Sequence, residues 1–255
     1  MQQQENGIQA DDPVSYEVGQ WIDFALGESN NYAANLLVRQ LGGGDIATGA
    51  RRFTEFMRGL GFVNTYMQSG YDVEVQLAQI PTPGNQRTDW TTNPDTNLQS
   101  SPADMGRLLA AIYDCTQGTG LLLETYGDQF TPEECKTILF YMSHDEFQEM
   151  LWSGLPQPQN AWIVHKHGFA FESHSDVGLV WGPTGPYVIS VFLYRSGWMD
   201  WGTSNNAMKD VSRIVWNFFE FKAAQSDEEP PEPLELTPPS GYVPLNNFVP
   251  AAEGN

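Results

Sequence analysis

Apolar residues recur at helical spacing through the first two thirds of the chain and at strand spacing after that. Val18, Trp21, Ile22 and Ala25 share one helical face, and Ala33, Ala34, Leu36, Leu37 and Leu41 share another. Between them "GESNN" reads as a turn that caps the second helix, which stops at the triple glycine 42–44. "IATGARRFTEFMRGLG" predicts a third amphipathic helix, closed by Gly61. Residues 62–101 are dense in Pro, Gly, Asn, Thr and Ser and predict a long loop without an element of its own. Ser101-Pro102 and Thr131-Pro132 each open a helix with a capping hydroxyl, a proline and an acidic third position. "DEFQEMLWSGLP" predicts a short helix. The period then shortens: "AWIVHKHGFAF", "DVGLVWGP" and "PYVISVFLYR" predict three successive antiparallel strands. A last amphipathic helix, "TSNNAMKDVSRIVWNFFEF", carries Ile214, Val215, Phe218 and Phe219 on one side, with Ser204-Asn205-Asn206 read as its cap.

This order predicts an α+β fold, an antiparallel sheet with flanking helices. Its body is residues 14–225, preceded by a loose, flexible lead-in over 1–13. Residues 226–255 hold seven prolines, six acidic groups and no lysine or arginine, so they are expected to be disordered or draped over a surface. The chain has 12 Lys+Arg against 32 Asp+Glu, a net charge of −20. Such acidity disfavours nucleic acid and anionic lipid, because phosphate binding needs a cationic patch. No run of about 18 apolar residues is present, so no membrane span is predicted, and "MQQQENGIQADDP" has no apolar signal-peptide core. Cys115 and Cys135 flank a turn between two helical patterns. They either pair across a helical hairpin in an oxidising compartment or stand as free thiols.

Candidate chemistry concentrates on the first strand. His165, His167 and His174 with Asp176 have the donor types of a zinc site, but Lys166 interrupts them and no helix-borne histidine pair supports them, so no metal is assigned. The scattered tryptophans suit core packing better than a glycan platform. Three pieces in order carry more: Ser29-Asn30-Asn31 at the mouth of an apolar helix, "SSPADMGRLL" after the long loop, and Lys166-His167-Gly168 on the strand. The chain resembles the class A β-lactamase and penicillin-binding-protein superfamily of serine hydrolases over roughly residues 14–224. "SNN" is similar to its S-D-N motif and "KHG" to its K-T-G motif, with asparagine for aspartate and histidine for threonine.

The resemblance implies acyl transfer through an acyl-enzyme on a β-lactam or a D-Ala-D-Ala-type amide, with no cofactor. By that resemblance Ser29 relays a proton and Asn31 binds the substrate's amide side chain. Lys166 holds the Ser29 hydroxyl and faces the substrate carboxylate, which His167 also binds beside Gly168. The Phe169 amide supplies half of an oxyanion hole. Glu74, in "EVQLA", stands where the family's Ω-loop has its deacylating base, with Ala78 where an asparagine is usual. One motif departs altogether: no serine in the chain has a lysine three places on, so the S-x-x-K nucleophile is missing. The chain is therefore expected to be the C-terminal part of a longer, extracytoplasmic or secreted hydrolase, inactive alone. Its partner would be a chain or segment that brings the N-terminal strands and nucleophile. A split enzyme, or a non-catalytic penicillin-recognising domain, are the other readings.

Overall fold

The computed structural model of the chain describes residues 17–71, 77–89, 92–145, 147–242 and 244–245, which form two compact units. Among the described residues, the first unit comprises residues up to Gln86, then Pro94–Gln99, and the segment from Pro238 onward. It contains α1 (Val18–Leu26), α2 (Asn31–Leu41), α3 (Ile46–Gly59) and a two-stranded ribbon of β1 (Tyr66–Met67) and β2 (Leu98–Gln99). The apolar stripes named from the sequence form these helices. Gly49 is required where α2 crosses α3, since a Cβ there would lie 1.8 Å from the Val38 carbonyl oxygen. Phe62 and Tyr66 are fully buried beneath α3, and Thr54 Oγ1 donates to Met67 O while accepting from Met67 N.

The long loop is not free of structure, as its composition had suggested. Side-chain amides replace secondary structure in holding it. Gln99 Nε2 donates to Asn64 O and Thr82 Oγ1, Asn85 Nδ2 donates to Ile80 O and Gln99 Oε1, and Gln68 Nε2 donates to Ala78 O and Thr96 O. The polar residues that read as a turn-rich segment thus satisfy its backbone groups themselves.

The second unit spans Arg87–Asn93 and Ser100–Thr237. It holds α4 (Pro102–Thr116), α5 (Leu121–Tyr126), α6 (Pro132–Met142), α7 (Met150–Gly154), a 3-10 turn (Pro158–Asn160), β3 (Ile163–Phe169), β4 (Ser173–Gly182), β5 (Gly185–Tyr194) and α8 (Trp201–Ala223). The sheet is antiparallel in the order β3-β4-β5, so β3 and β5 are its edges. This is the predicted α+β arrangement. Strand alternation divides the sheet into two faces. Val164, Lys166, Leu179, Val188 and Ser190 face α4, where Gly106 approaches Ser190 closely. His165, His167, Asp176, Val180, Tyr187 and Ile189 face α7 and α8, where Leu151, Leu155, Val215, Trp216 and Phe219 complete a core. A disulfide joins Cys115 of α4 to Cys135 of α6, settling the open alternative in favour of pairing.

Three expectations need correcting. α5 was not legible as a separate helix, and its glycine cap Gly120 has φ 88°. Of the predicted helix over 145–156, the described residues form only α7, with Asp145 and Glu149 before it engaged in side-chain bonds described below. Ser204-Asn205-Asn206 does not cap the last helix. Asp200 does, with its carboxylate accepting from Thr203 N, and Ser204 is fully buried within α8. The proline-rich segment is placed by two indoles: Trp181 Nε1 donates to Pro231 O at 2.7 Å and Trp162 Nε1 to Leu234 O at 3.1 Å.

Candidate active-site wall on strand β3

β3 carries one lysine and two histidines in consecutive positions, His165, Lys166 and His167. Two hydrogen-bonded pairs frame it: Trp181 N donates to Trp162 O, and Ala170 N donates to Ser173 O. In an antiparallel ladder such pairs alternate. Residues 164, 166 and 168 therefore bond to β4, while the backbone groups of 163, 165, 167 and 169 point away from it. The Phe169 amide is thus directed to the outer edge of the sheet.

Two aspartates divide the lysine and histidines of β3 between them. Asp145 Oδ2 lies 3.0 Å from His167 Nδ1 and 3.7 Å from Lys166 Nζ. Burial raises the Asp145 pKa, but the His167 hydrogen bond and the charges of Lys166, His167 and His165 outweigh it, leaving the carboxyl below its ordinary 3.8. Burial pulls the Lys166 ammonium below 10.5, with Asp145 and Asp176 offsetting only part of the drop. Asp176, fully buried on β4, holds His165 Nδ1 at 3.1 Å and accepts from Leu151 N at 3.2 Å. Burial pushes His165 down, yet the Asp176 bond and charge outweigh it and the imidazole titrates above 6.5.

An aromatic layer covers this face. Phe147 stacks on His167 at 3.9 Å between ring centroids, and Phe169 also lies near-parallel to His167 at 5.9 Å. Trp201 meets both phenylalanines edge-on. His174 Nδ1 lies 2.6 Å from Ser204 Oγ, whose own proton is directed to Trp201 O. Glu149 accepts from Trp201 Nε1 and Asn205 Nδ2, and Asn205 Oδ1 accepts from Met150 N. These bonds hold Glu149 extended and set the start of α7 at Met150. Beside the wall lies a cavity of about 310 Å³ lined by Met142, Asp145, Trp152, Ile163 and His165.

The structure brings Lys166, His167, Gly168 and Phe169 together, with Asp145 and Asp176 as their supports. Sequence reasoning named Asp176 only as a metal donor and missed Asp145. Among the described residues no group of three or more His, Cys, Asp or Glu is placed to hold a metal. Ser29 and Asn31 lie in the first unit. Ser29 has φ 57°, and Asn30, rather than Ser29, caps α2 by accepting from Ala33 N at 2.9 Å; Asn31 is the first residue of α2 and is exposed. Glu74 lies outside the described residues.

An antiparallel sheet with β3 at one edge, flanked by helices and packed against the long C-terminal helix, is the α+β frame that positions these residues. The model of the Beta-lactamase enzyme family matches residues 2–219, and the chain belongs to that family. Solved structures agree on the fold. A variant of the class A β-lactamase of the last common ancestor of Gram-negative bacteria is 23% identical, with TM-score 0.59, 82% of this chain covered and 66% of that one. PBP-A is 22% identical, with TM-score 0.59, 81% of this chain covered and 62% of that one. A β-lactamase from Streptosporangium roseum is 19% identical, with TM-score 0.58, 81% of this chain covered and 66% of that one. The chain thus spans just under two thirds of these proteins' length. No curated protein matches it in sequence.

Proposed function

We propose that the chain supplies the substrate-binding wall of a β-lactamase-like serine acyl-hydrolase and does not acylate on its own. The observation that carries this reading is the β3 edge. The outward Phe169 amide is the donor an oxyanion needs, and the Lys166 ammonium and the His167 imidazole N–H are donors a substrate carboxylate needs. Family membership supports the hydrolase class. Ser29 as proton relay, Asn31 as amide binder and Glu74 as deacylating base remain part of the proposal. The substrate proposed is a β-lactam or a D-Ala-D-Ala-type amide with a free carboxylate. The nucleophile would come from a further chain or segment, since no S-x-x-K is present. The Cys115–Cys135 disulfide supports an oxidising, extracytoplasmic setting, and among the described residues no helix is long and apolar enough to cross a membrane.

A binding-only role has one specific observation in its favour: Asp145 already engages Lys166 and His167, which holds the lysine in an ion pair instead of leaving it to act on a nucleophile. Both readings predict that benzylpenicillin shifts the amide resonances of 165–169, Phe169 above all, and that Lys166→Ala abolishes the shifts while the fold persists. Unchanged resonances at saturating ligand would refute the wall.

A further inference from the structure

The segment after α8 is biased by its sequence towards one conformation. Glu229, Pro230, Pro231, Glu232 and Pro233 are each a proline or the residue before one. Proline fixes φ near about −65°, and the residue before a proline is pushed to an extended ψ. Residues 226–239 form no helix, strand or turn, and none of them has a positive φ. A polyproline II helix has about 3 residues per turn, so carbonyls three positions apart project from the same side. Pro231 O and Leu234 O are three apart, and they are the two carbonyls that the Trp181 and Trp162 indoles hold at 2.7 Å and 3.1 Å. The segment lies outside residues 2–219, which the family model matches, so family membership does not account for it.

We propose that Trp162 and Trp181 form a recognition site for a polyproline II segment, with the chain's own residues 230–234 as its tethered ligand. The two indoles meet edge to face at 5.6 Å, and Tyr113 of α4 braces Trp181 edge-on at 6.2 Å. This packing fixes both N–H donors, which lowers the ordering cost of binding. The ring of Pro231 lies over Gly185, where a Cβ would stand 3.1 Å and 3.3 Å from its Cδ and Cγ. Leu234 is half-buried, whereas Glu228, Glu229, Glu232 and Glu235 are exposed. Recognition therefore rests on the proline rings, two carbonyls and a leucine, not on the acidic side chains. Aromatic grooves bind proline-rich peptides in this way, because the ligand is extended before it docks. A proline-rich peptide of another chain meets the same requirements. Residues 224–230 tether the resident ligand to the end of α8, at an effective concentration on the order of 1 mM. A peptide in trans thus competes only at similar concentration, or once the tail is weakened.

Indole proton exchange in the full chain, followed by NMR, reads the site. The Nε1–H groups of Trp162 and Trp181 should both be protected in the wild type. Pro230→Gly, Pro231→Gly and Pro233→Gly together keep every carbonyl but remove the preorganisation, and should speed both exchanges at least about 10-fold. All three positions are exposed, so circular dichroism and the native disulfide should be unchanged. A synthetic peptide of residues 227–236, added to that variant at about 5 mM, should restore the protection. The same peptide with glycine for its prolines should not. In the otherwise wild-type chain Trp181→Phe, which keeps a ring and loses the donor, should speed exchange at Trp162 as well. Unprotected indoles in the wild type overturn the proposal, as does exchange indifferent to the glycine substitutions. So does a glycine peptide as effective as the proline one, or a proline peptide that restores nothing.

Discussion

Asp145 and Asp176 do for β3 what no residue of the strand does for itself. Each takes one face or edge of a polar strand and makes its burial affordable. Asp176 is the more exacting case, because its carboxylate serves both His165 and the Leu151 amide. Asp176→Asn leaves a buried imidazole with a weaker partner and should destabilise the chain by about 3 kcal/mol, measured by urea unfolding. In the same variant His165 should titrate lower than in the wild type, readable by proton NMR. An unchanged His165 titration would mean that Asp176 is not what raises it. Tyr187 makes the opposite point. Its hydroxyl is buried without a hydrogen-bond partner among the described residues, and burial pushes its pKa to about 12. Tyr187→Phe should therefore be neutral or stabilising by up to about 1 kcal/mol in the same assay.

At the level of elements, the disulfide ties α4 to α6 across 20 residues. Closing a loop of that length is worth about 3 kcal/mol, so reduction should lower the urea midpoint correspondingly while leaving far-ultraviolet dichroism at low denaturant intact. The helices with periodic stripes and capping signals were legible because the forces that start and stop them are local: Ser101 and Thr131 accept from the third amide of their helices as their spacing implied. The three strands were legible from alternation. The failures are all non-local. Asp145 and Glu149 stand in a helical sequence, but their bonds to His167, Trp201 and Asn205, up to 56 residues away, hold them outside a helix. Ser204-Asn205-Asn206 looks like a cap, yet Asn205 caps α7 rather than its own helix. For the site, the shared face of His165 and His167 could be read from their i, i+2 spacing. The partner of His167 could not, because Asp145 lies 22 residues away and outside any helix or strand.

For the whole molecule, the shifted groups define a pH window. His165 is raised in the folded state, so its contribution to stability is complete below 6.5 and is lost as pH rises through its folded value. Asp145 is lowered, so its contribution is complete above 3.8 and is lost as pH falls through its folded value. Both contributions are complete only between 3.8 and 6.5. The urea midpoint should decline above that window, and Asp176→Asn should flatten the decline. The central claim is broader: a β-lactamase-family chain with a substrate wall and no nucleophile of its own. Intact mass spectrometry after incubation with excess benzylpenicillin tests it most directly. The account predicts an unchanged mass; a chain heavier by one penicilloyl group, mapped to any of its serines, would contradict it.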